Sequence, residues 1–313
     1  MMDTAVSITV WSTSKKDAQE AVNAAFKEIG KLGELLDYYS DTSEITAINR
    51  MAGEKPVKVS TETFEVIERA VEIAHLTDGA YDPTIGPVIK LWDFVNKKKP
   101  DQSELKRNLA FVDYRKISLD RDHSTVFLID KNMEIDLGGI AKGYGADRAI
   151  QVMKSKGIKA ALVSIAGDIK GYGLKPNNQP WRIGIQNPRY DENSSDKAII
   201  ASFPLNGKAT STSGDYQRYF IEDSVRYHHL LNPQTGMPSK ELISVSLIAD
   251  EGIMADALST GVFIMGIDKG VRLITSLGIE GVFVDKNNKI YITKGMKDKL
   301  TLFRKYSVLD VKP

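Results

Sequence analysis

Cysteine is absent from this chain of 313 residues, so disulfides, thiolate nucleophiles and cysteine-ligated metals are all excluded. No apolar run reaches the ~18 residues that a membrane-crossing helix needs. An excess of one charge is missing too. The formal net charge is +1, and no long basic stretch is available to displace counterions from a nucleic acid. Lys97-Lys98-Lys99 is the sole lysine triplet and reads as a solvated loop. Internal repeats and low-complexity tracts are also lacking. The first residues run straight into a strand-like segment, without the charged and apolar regions of an export signal. The expectation is therefore a cytosolic chain, or an exported one whose leader lies outside this sequence.

What is present is ordinary globular composition, 42% hydrophobic and 27% charged, enough for one large domain or two intimately packed lobes. The pattern is mixed α and β. Val6, Ile8 and Val10 alternate as in a strand. Ala18, Val22, Ala25, Ile29, Leu32 and Leu36 recur at helical spacing behind the cap Ser14. Phe64, Ile67, Val71 and Ala74 mark a second helix, entered at Ser60 and stopped by Asp78-Gly79. Residues 87–119 read as loop plus a short helix. Thr125–Ile129 and Met133–Leu137 read as two strands around the turn Asp130-Lys-Asn132. A helix to about Lys156 and a buried strand Ala160–Ile165 follow. Further strands are expected at Trp181–Gln186, Ala198–Leu205, Tyr216–Ile221, Tyr227–Leu231 and Ile243–Ala249. The chain then gives helices near Ile253–Met265 and Val271–Leu277, and strands at Gly281–Val284 and Lys289–Thr293. The segments Lys175–Pro180 and Tyr190–Lys197 read as surface turns within one unit.

Five places carry possible chemistry. In Glu134–Ala149 an apolar run ends in an acid, a Gly-Gly pair follows, and Lys142 comes three residues after the second glycine. That order makes a tight turn opening a helix N-terminus, which suits an anion such as a phosphate, with Asp136 and Lys142 bringing opposite charges beside it. In Met254–Gly266 most positions are apolar, so Asp256 must be buried and needs a cation or several donors. Asp256 and Thr260, one turn apart with Ser259 nearby, can give two oxygens to Mg²⁺. Asp256 can equally pair with a lysine or arginine. Thr210-Ser-Thr-Ser213 can bind phosphate through hydroxyls and amides, or form a plain turn. In Tyr227–Gly236 the adjacent His228 and His229 point to opposite strand faces, so at most one enters a given site. That histidine is a base near neutral pH or simply a hydrogen-bonded residue. Asp78–Pro87 is a Gly- and Pro-rich turn that holds Tyr81 and Asp82 in a defined shape.

Together these segments resemble the FAD:protein FMN transferases, the ApbE-like flavin transferases, almost from end to end. The resemblance rests on Met2-Asp3-Thr4, on Tyr39 with Ser43–Asn49, on Tyr81–Pro87 and on Asp136–Tyr144. It continues through Ser164-Ile-Ala-Gly-Asp168, Ala209–Gly214, His229–Gly236 and Ala255–Thr260. It implies an α+β fold of mixed sheets with packed helices, T-fold-like, forming one flavin transferase domain of two intertwined lobes over residues 1–313. It implies an enzyme that binds FAD with Mg²⁺, moves the FMN half onto a Ser or Thr hydroxyl of a partner redox protein and releases AMP. By position, Met2, Tyr39, Ala80, Tyr81, Asp82, Asp136 and Lys142 would line the FAD site. Thr210, Ser211 and Ser213 would lie near the pyrophosphate. Asp256, Thr260 and the Gly139 carbonyl would hold Mg²⁺, and His229 would activate the incoming hydroxyl. A hydrolase splitting FAD into FMN and AMP, and a non-catalytic flavin-binding protein, are the other readings. Asn232 stands where the family usually has aspartate, and Asp3 where it has glycine. Many relatives carry a lipoprotein signal, so the family implies a location outside the cytoplasm, at the cell surface or the periplasmic face of a bacterial membrane, anchored through a segment outside this sequence. A cytoplasmic location is the other expectation.

Overall fold

A computed structural model describes residues 4–190, 198–303 and 308–310. In chain order the first half runs β1 (Val6–Trp11), α1 (Lys15–Leu36), α2 (Glu44–Arg50), β2 (Val57–Lys58), α3 (Thr61–Leu76), α4 (Gly86–Ile89), α5 (Gln102–Leu109), β3 (Ile117–Asp120), β4 (Thr125–Leu128) and α6 (Ala141–Ser155). The second half runs β5 (Ala160–Ile165), β6 (Asp168–Tyr172), β7 (Trp181–Gln186), β8 (Ile199–Leu205), β9 (Ala209–Gly214), β10 (Tyr219–Glu222), β11 (Val225–His228) and β12 (Leu242–Ala249). It closes with α7 (Gly252–Met265), α8 (Ile267–Ser276), β13 (Glu280–Asp285), β14 (Ile290–Ile292), β15 (Thr301–Leu302) and β16 (Val308–Asp310). The expected mixture of sheets and packed helices is present.

The central element is an eight-stranded sheet in the order β1-β5-β6-β9-β12-β13-β14-β16. It is antiparallel except for the β14–β16 pair. Helices pack on one face. Ala21, Ala25 and Ile29 of α1 meet Ala146, Ala149 and Ile150 of α6 over Ala161, Val163 and Ile165 of β5. Ala255, Leu258 and Val262 of α7 join Val245 and Leu247 of β12 in the largest apolar cluster. The sheet β15-β8-β7 covers the other face, burying Trp181, Ile183 and Phe203 against Ile248, Val282 and Val284. No described helix is long and apolar enough to cross a membrane.

Ser14 and Ser60 cap α1 and α3 as expected, each accepting an amide from the third residue on. Five expectations are corrected. Residues 87–119 hold most of α4, all of α5, a 3-10 turn at Tyr114–Lys116 and most of β3. Met133–Leu137 is not a strand. The Asn49 side chain takes both the amide (2.7 Å) and the carbonyl (3.0 Å) of Ile135, and Pro83 O takes the Asp136 amide, so pairing stops at a single parallel bridge between Glu134 and Ile85. β4 instead pairs with β3 and β2. The hydroxyl run at 210–213 is not a turn but strand β9, paired with β6 and β12. The strand expected at Tyr216–Ile221 begins at Tyr219, and that expected at Tyr227–Leu231 ends at His228. Most of the expected turn Tyr190–Lys197 lies outside the described residues.

Candidate active site

The site forms where α6, α7, β6 and β9 converge. Asp147 starts α7 by accepting the Ile253 amide at 3.0 Å. The two helices then approach so closely that a Cβ at Gly143 would fall 2.1 Å from Gly252 O. This contact sets Asp256, only 4% exposed, against the first turn of α6, where the Gly143 amide donates to its Oδ2 at 3.0 Å. Burial and the neighbouring Asp168 push the Asp256 carboxyl up to about 7. Asp256 has a lysine partner as well: Lys142 Nζ lies 3.4 Å from Asp256, 3.2 Å from Asp168 Oδ2 and 2.8 Å from Gly138 O.

Strand alternation sorts the hydroxyls of β9. Ser211 donates to the Asp168 carboxylate, and Ser213 Oγ lies 2.8 Å from Ser259 Oγ and 3.2 Å from Thr260 Oγ1. Thr210 sits on the opposite face, across from Ile169 and Ile248 over the second core, so its side chain does not join those of Ser211 and Ser213. Gly139 closes this centre from the loop before α6; a Cβ there would lie 3.5 Å from Thr260 Oγ1 and 3.4 Å from the Tyr81 ring. Tyr81 is 4% exposed, and its buried hydroxyl has no hydrogen-bond partner.

Asp136 accepts the Gly138 amide at 2.7 Å, and burial raises its carboxyl against the pull of that amide, Lys142 and Arg218. Tyr39 stands 73% exposed, edge-on to Tyr38 at 5.1 Å, and Tyr38 is tied to Glu134. Asp82 is committed elsewhere. Its Oδ1 accepts from the Thr84 amide (2.8 Å) and hydroxyl (2.6 Å), and its Oδ2 from the Tyr114 amide (3.1 Å). It therefore shapes the turn that presents Ala80 and Tyr81. Met2 and Asp3 lie outside the described residues.

His228 and His229 diverge as expected. His228 is buried, with Nε2 at 2.8 Å from Ser239 O and its ring edge-on to Phe263. His229, just past β11, is half-buried; its amide donates to Arg218 O at 3.1 Å and its Nδ1 lies 3.3 Å from the same carbonyl. Burial lowers it to about 4, so the ring is neutral at pH 7. Asn232 needs no charge: its side chain accepts the Gln234 amide at 2.8 Å, an Asx turn that either residue type makes.

Asp168, the last residue of Ser164–Asp168, has no role legible in the sequence. Its signal is the pair Ala166 and Gly167, whose positive φ values (52° and 95°) turn β5 into β6 and aim the acid inward. No group of three or more His, Cys, Asp or Glu able to hold a metal exists among the described residues. Asp256, Thr260 and the Gly139 carbonyl would offer oxygen ligands only, the kind that suits a hard divalent cation taking its remaining ligands from water or a phosphate.

A family model described as the ApbE family matches residues 2–283. A relative from Klebsiella pneumoniae (strain 342), named FAD:protein FMN transferase, is 33% identical, the match covering 91% of this chain and 89% of that one. A protein of the same name from Treponema pallidum (strain Nichols) is 32% identical, covering 95% and 86%. Among solved structures, the ApbE protein of Thermotoga maritima superposes with a TM-score of 0.87 at 34% identity, over 95% of this chain and 96% of that one. The flavin transferase ApbE of Vibrio cholerae gives 0.81 at 28% identity, over 95% and 96%.

Proposed function

The chain belongs to the ApbE family, and from that premise we propose that it is a Mg²⁺-dependent FAD:protein FMN transferase. The acceptor is a Ser or Thr hydroxyl of a redox protein, and AMP is the second product. One observation carries this reading: a lysine, two buried carboxylates and two strand hydroxyls converge beside a helix N-terminus, next to an unpaired tyrosine hydroxyl. The dinucleotide's diphosphate would supply the missing partner for Tyr81 and a further one for Lys142, and the exposed Tyr39 ring offers a face for the flavin.

Asp256, Thr260 and the Gly139 carbonyl would hold Mg²⁺, which when bound neutralises phosphoryl charge and steadies the departing AMP. The remaining chemistry belongs to the chain. The acceptor oxygen attacks the FMN-side phosphorus, the P–O bond to AMP breaks, and the hydroxyl proton passes to a base. With Nδ1–H donating to Arg218 O, His229 keeps its Nε2 lone pair free to take that proton. Positioning and charge neutralisation supply most of the rate in such transfers, so no covalent enzyme intermediate is needed.

The test mixes the protein with FAD, Mg²⁺ and an acceptor domain and looks for flavin fluorescence on a denaturing gel. An added FMN mass on a Ser or Thr, with AMP released, supports transfer. AMP and free FMN without labelling would replace it with hydrolysis, and no cleavage of FAD would leave a flavin-binding protein.

A further inference from the structure

We propose that Lys142 is a placeholder cation: without nucleotide its ammonium fills the oxygen cage where the divalent ion belongs, and binding of the diphosphate draws it out, so that metal and FAD enter together. This inference rests on the reading that the centre takes Mg²⁺ and FAD.

Three observations carry it. The ammonium sits against oxygens of Gly138, Asp168 and Asp256, so it already occupies the kind of surroundings that suit a hard cation. The carboxylates are fixed and the lysine is not. Asp256 is pinned by the Gly143 amide and Asp168 by Ser211, and their side chains are 5% and 7% exposed, while that of Lys142 is 25% exposed. The cation is thus the member of the cluster that can swing towards solvent or a phosphate. Finally, the charges count against crowding. With both acids ionised, two carboxylates and one ammonium leave one negative charge; a divalent ion beside an unmoved Lys142 would invert it, and two cations would compete for Asp256 at close range. The diphosphate restores the balance by taking Lys142 as its own partner. Asp168 is then a positioning residue, which keeps part of the lysine's interaction away from Asp256.

The consequence is positive coupling between metal and nucleotide, which must be reciprocal. The experiment measures Mn²⁺ binding by the full chain with and without FAD, in the absence of acceptor, by electron paramagnetic resonance of free Mn²⁺. Wild type should bind Mn²⁺ weakly alone and about tenfold or more tightly with FAD. Lys142→Met should bind Mn²⁺ about tenfold more tightly than wild type without FAD, and FAD should then add little. Asp168→Asn, which leaves Asp256 as the carboxylate facing the ammonium beside the Gly138 carbonyl, should bind Mn²⁺ more weakly than wild type, and adding Lys142→Met to it should restore affinity. Thermal melting of each variant, with and without Mn²⁺, shows whether it is folded and whether the ion stabilises it.

A folded Lys142→Met protein whose Mn²⁺ affinity without FAD is unchanged or weaker would overturn the placeholder and leave the lysine as a plain salt bridge. Failure of Lys142→Met to rescue Asp168→Asn would also overturn it, making Asp168 a ligand in its own right. If wild type takes up no Mn²⁺ even with FAD, the metal reading itself falls and carries this inference with it.

Discussion

The backbone amide of Gly143 holds the carboxylate of Asp256 at 3.0 Å across the contact between α6 and α7. The contact admits no side chain at position 143, because a Cβ there would meet Gly252 O at 2.1 Å and Asp256 Cβ at 2.8 Å. Gly143→Ala must therefore part the helices. Overpacking of this kind typically costs ~1–3 kcal/mol, and the amide moves with the backbone. The expected result is a lower urea midpoint together with reduced FAD cleavage. A variant with wild-type midpoint and rate would mean that the close approach does not position the carboxylate.

Asp256→Asn keeps the shape of the side chain and an oxygen for the Gly143 amide but removes the charge. FAD cleavage, read as AMP released, should fall by on the order of 10²–10³ or more, the scale seen when one electrostatic contact to a transferring group is deleted. EDTA should silence the wild type in the same assay, and added Mg²⁺ should restore it. Full turnover of the variant in EDTA would remove both the ligand role and the metal.

Tyr81→Phe separates fold from binding. The buried hydroxyl has no partner, and a buried unsatisfied polar group costs ~1–3 kcal/mol. Its removal should leave the unliganded protein as stable as wild type, or more so. If that hydroxyl waits for the substrate, the rise in melting temperature produced by FAD should shrink. An undiminished FAD shift would place the hydroxyl outside the ligand contacts.

Much of this could be seen in advance, for reasons that differ by element. α1 and α3 were legible because long apolar periodicity and serine caps act locally, and α7 because a long run of it is apolar. The burial of Asp256 followed from the apolar helix around it. Its lysine partner did not, since Lys142 is 114 residues away in sequence and only the helix contact joins them. α2 has just seven residues, too few for a periodic signal, and its cap Ser43 looks like any loop serine. β9 reads as a turn because small hydroxyl residues usually satisfy their own backbone; here β6 and β12 claim those groups first. Which hydroxyls face the site is then a matter of register, and Thr210 falls on the opposite face from Ser211 and Ser213. Met133–Leu137 has the composition of a strand, but the Asn49 side chain takes both backbone groups of Ile135 and limits its pairing to one bridge with Ile85.

His229 leads to a pH-dependent prediction. Its ordinary value is 6.5, and burial lowers it to about 4 in the folded protein. Between those values the unfolded chain binds more protons than the folded one, so stability rises with pH across this window. The contribution is present above about pH 6.5 and is lost as the pH falls through about 4. Asp256, whose carboxyl is raised by burial and by Asp168, acts in the opposite direction, so wild type alone does not isolate the histidine. The comparison with His229→Gln does: the variant should lose less stability than wild type between pH 7.5 and pH 5 when urea midpoints are compared. Its transfer rate at pH 7.5 should fall by about 10²–10⁴, the usual worth of a general base. Parallel stability profiles would show that the ring is not held neutral by its burial, and an unchanged rate would assign proton removal to another group.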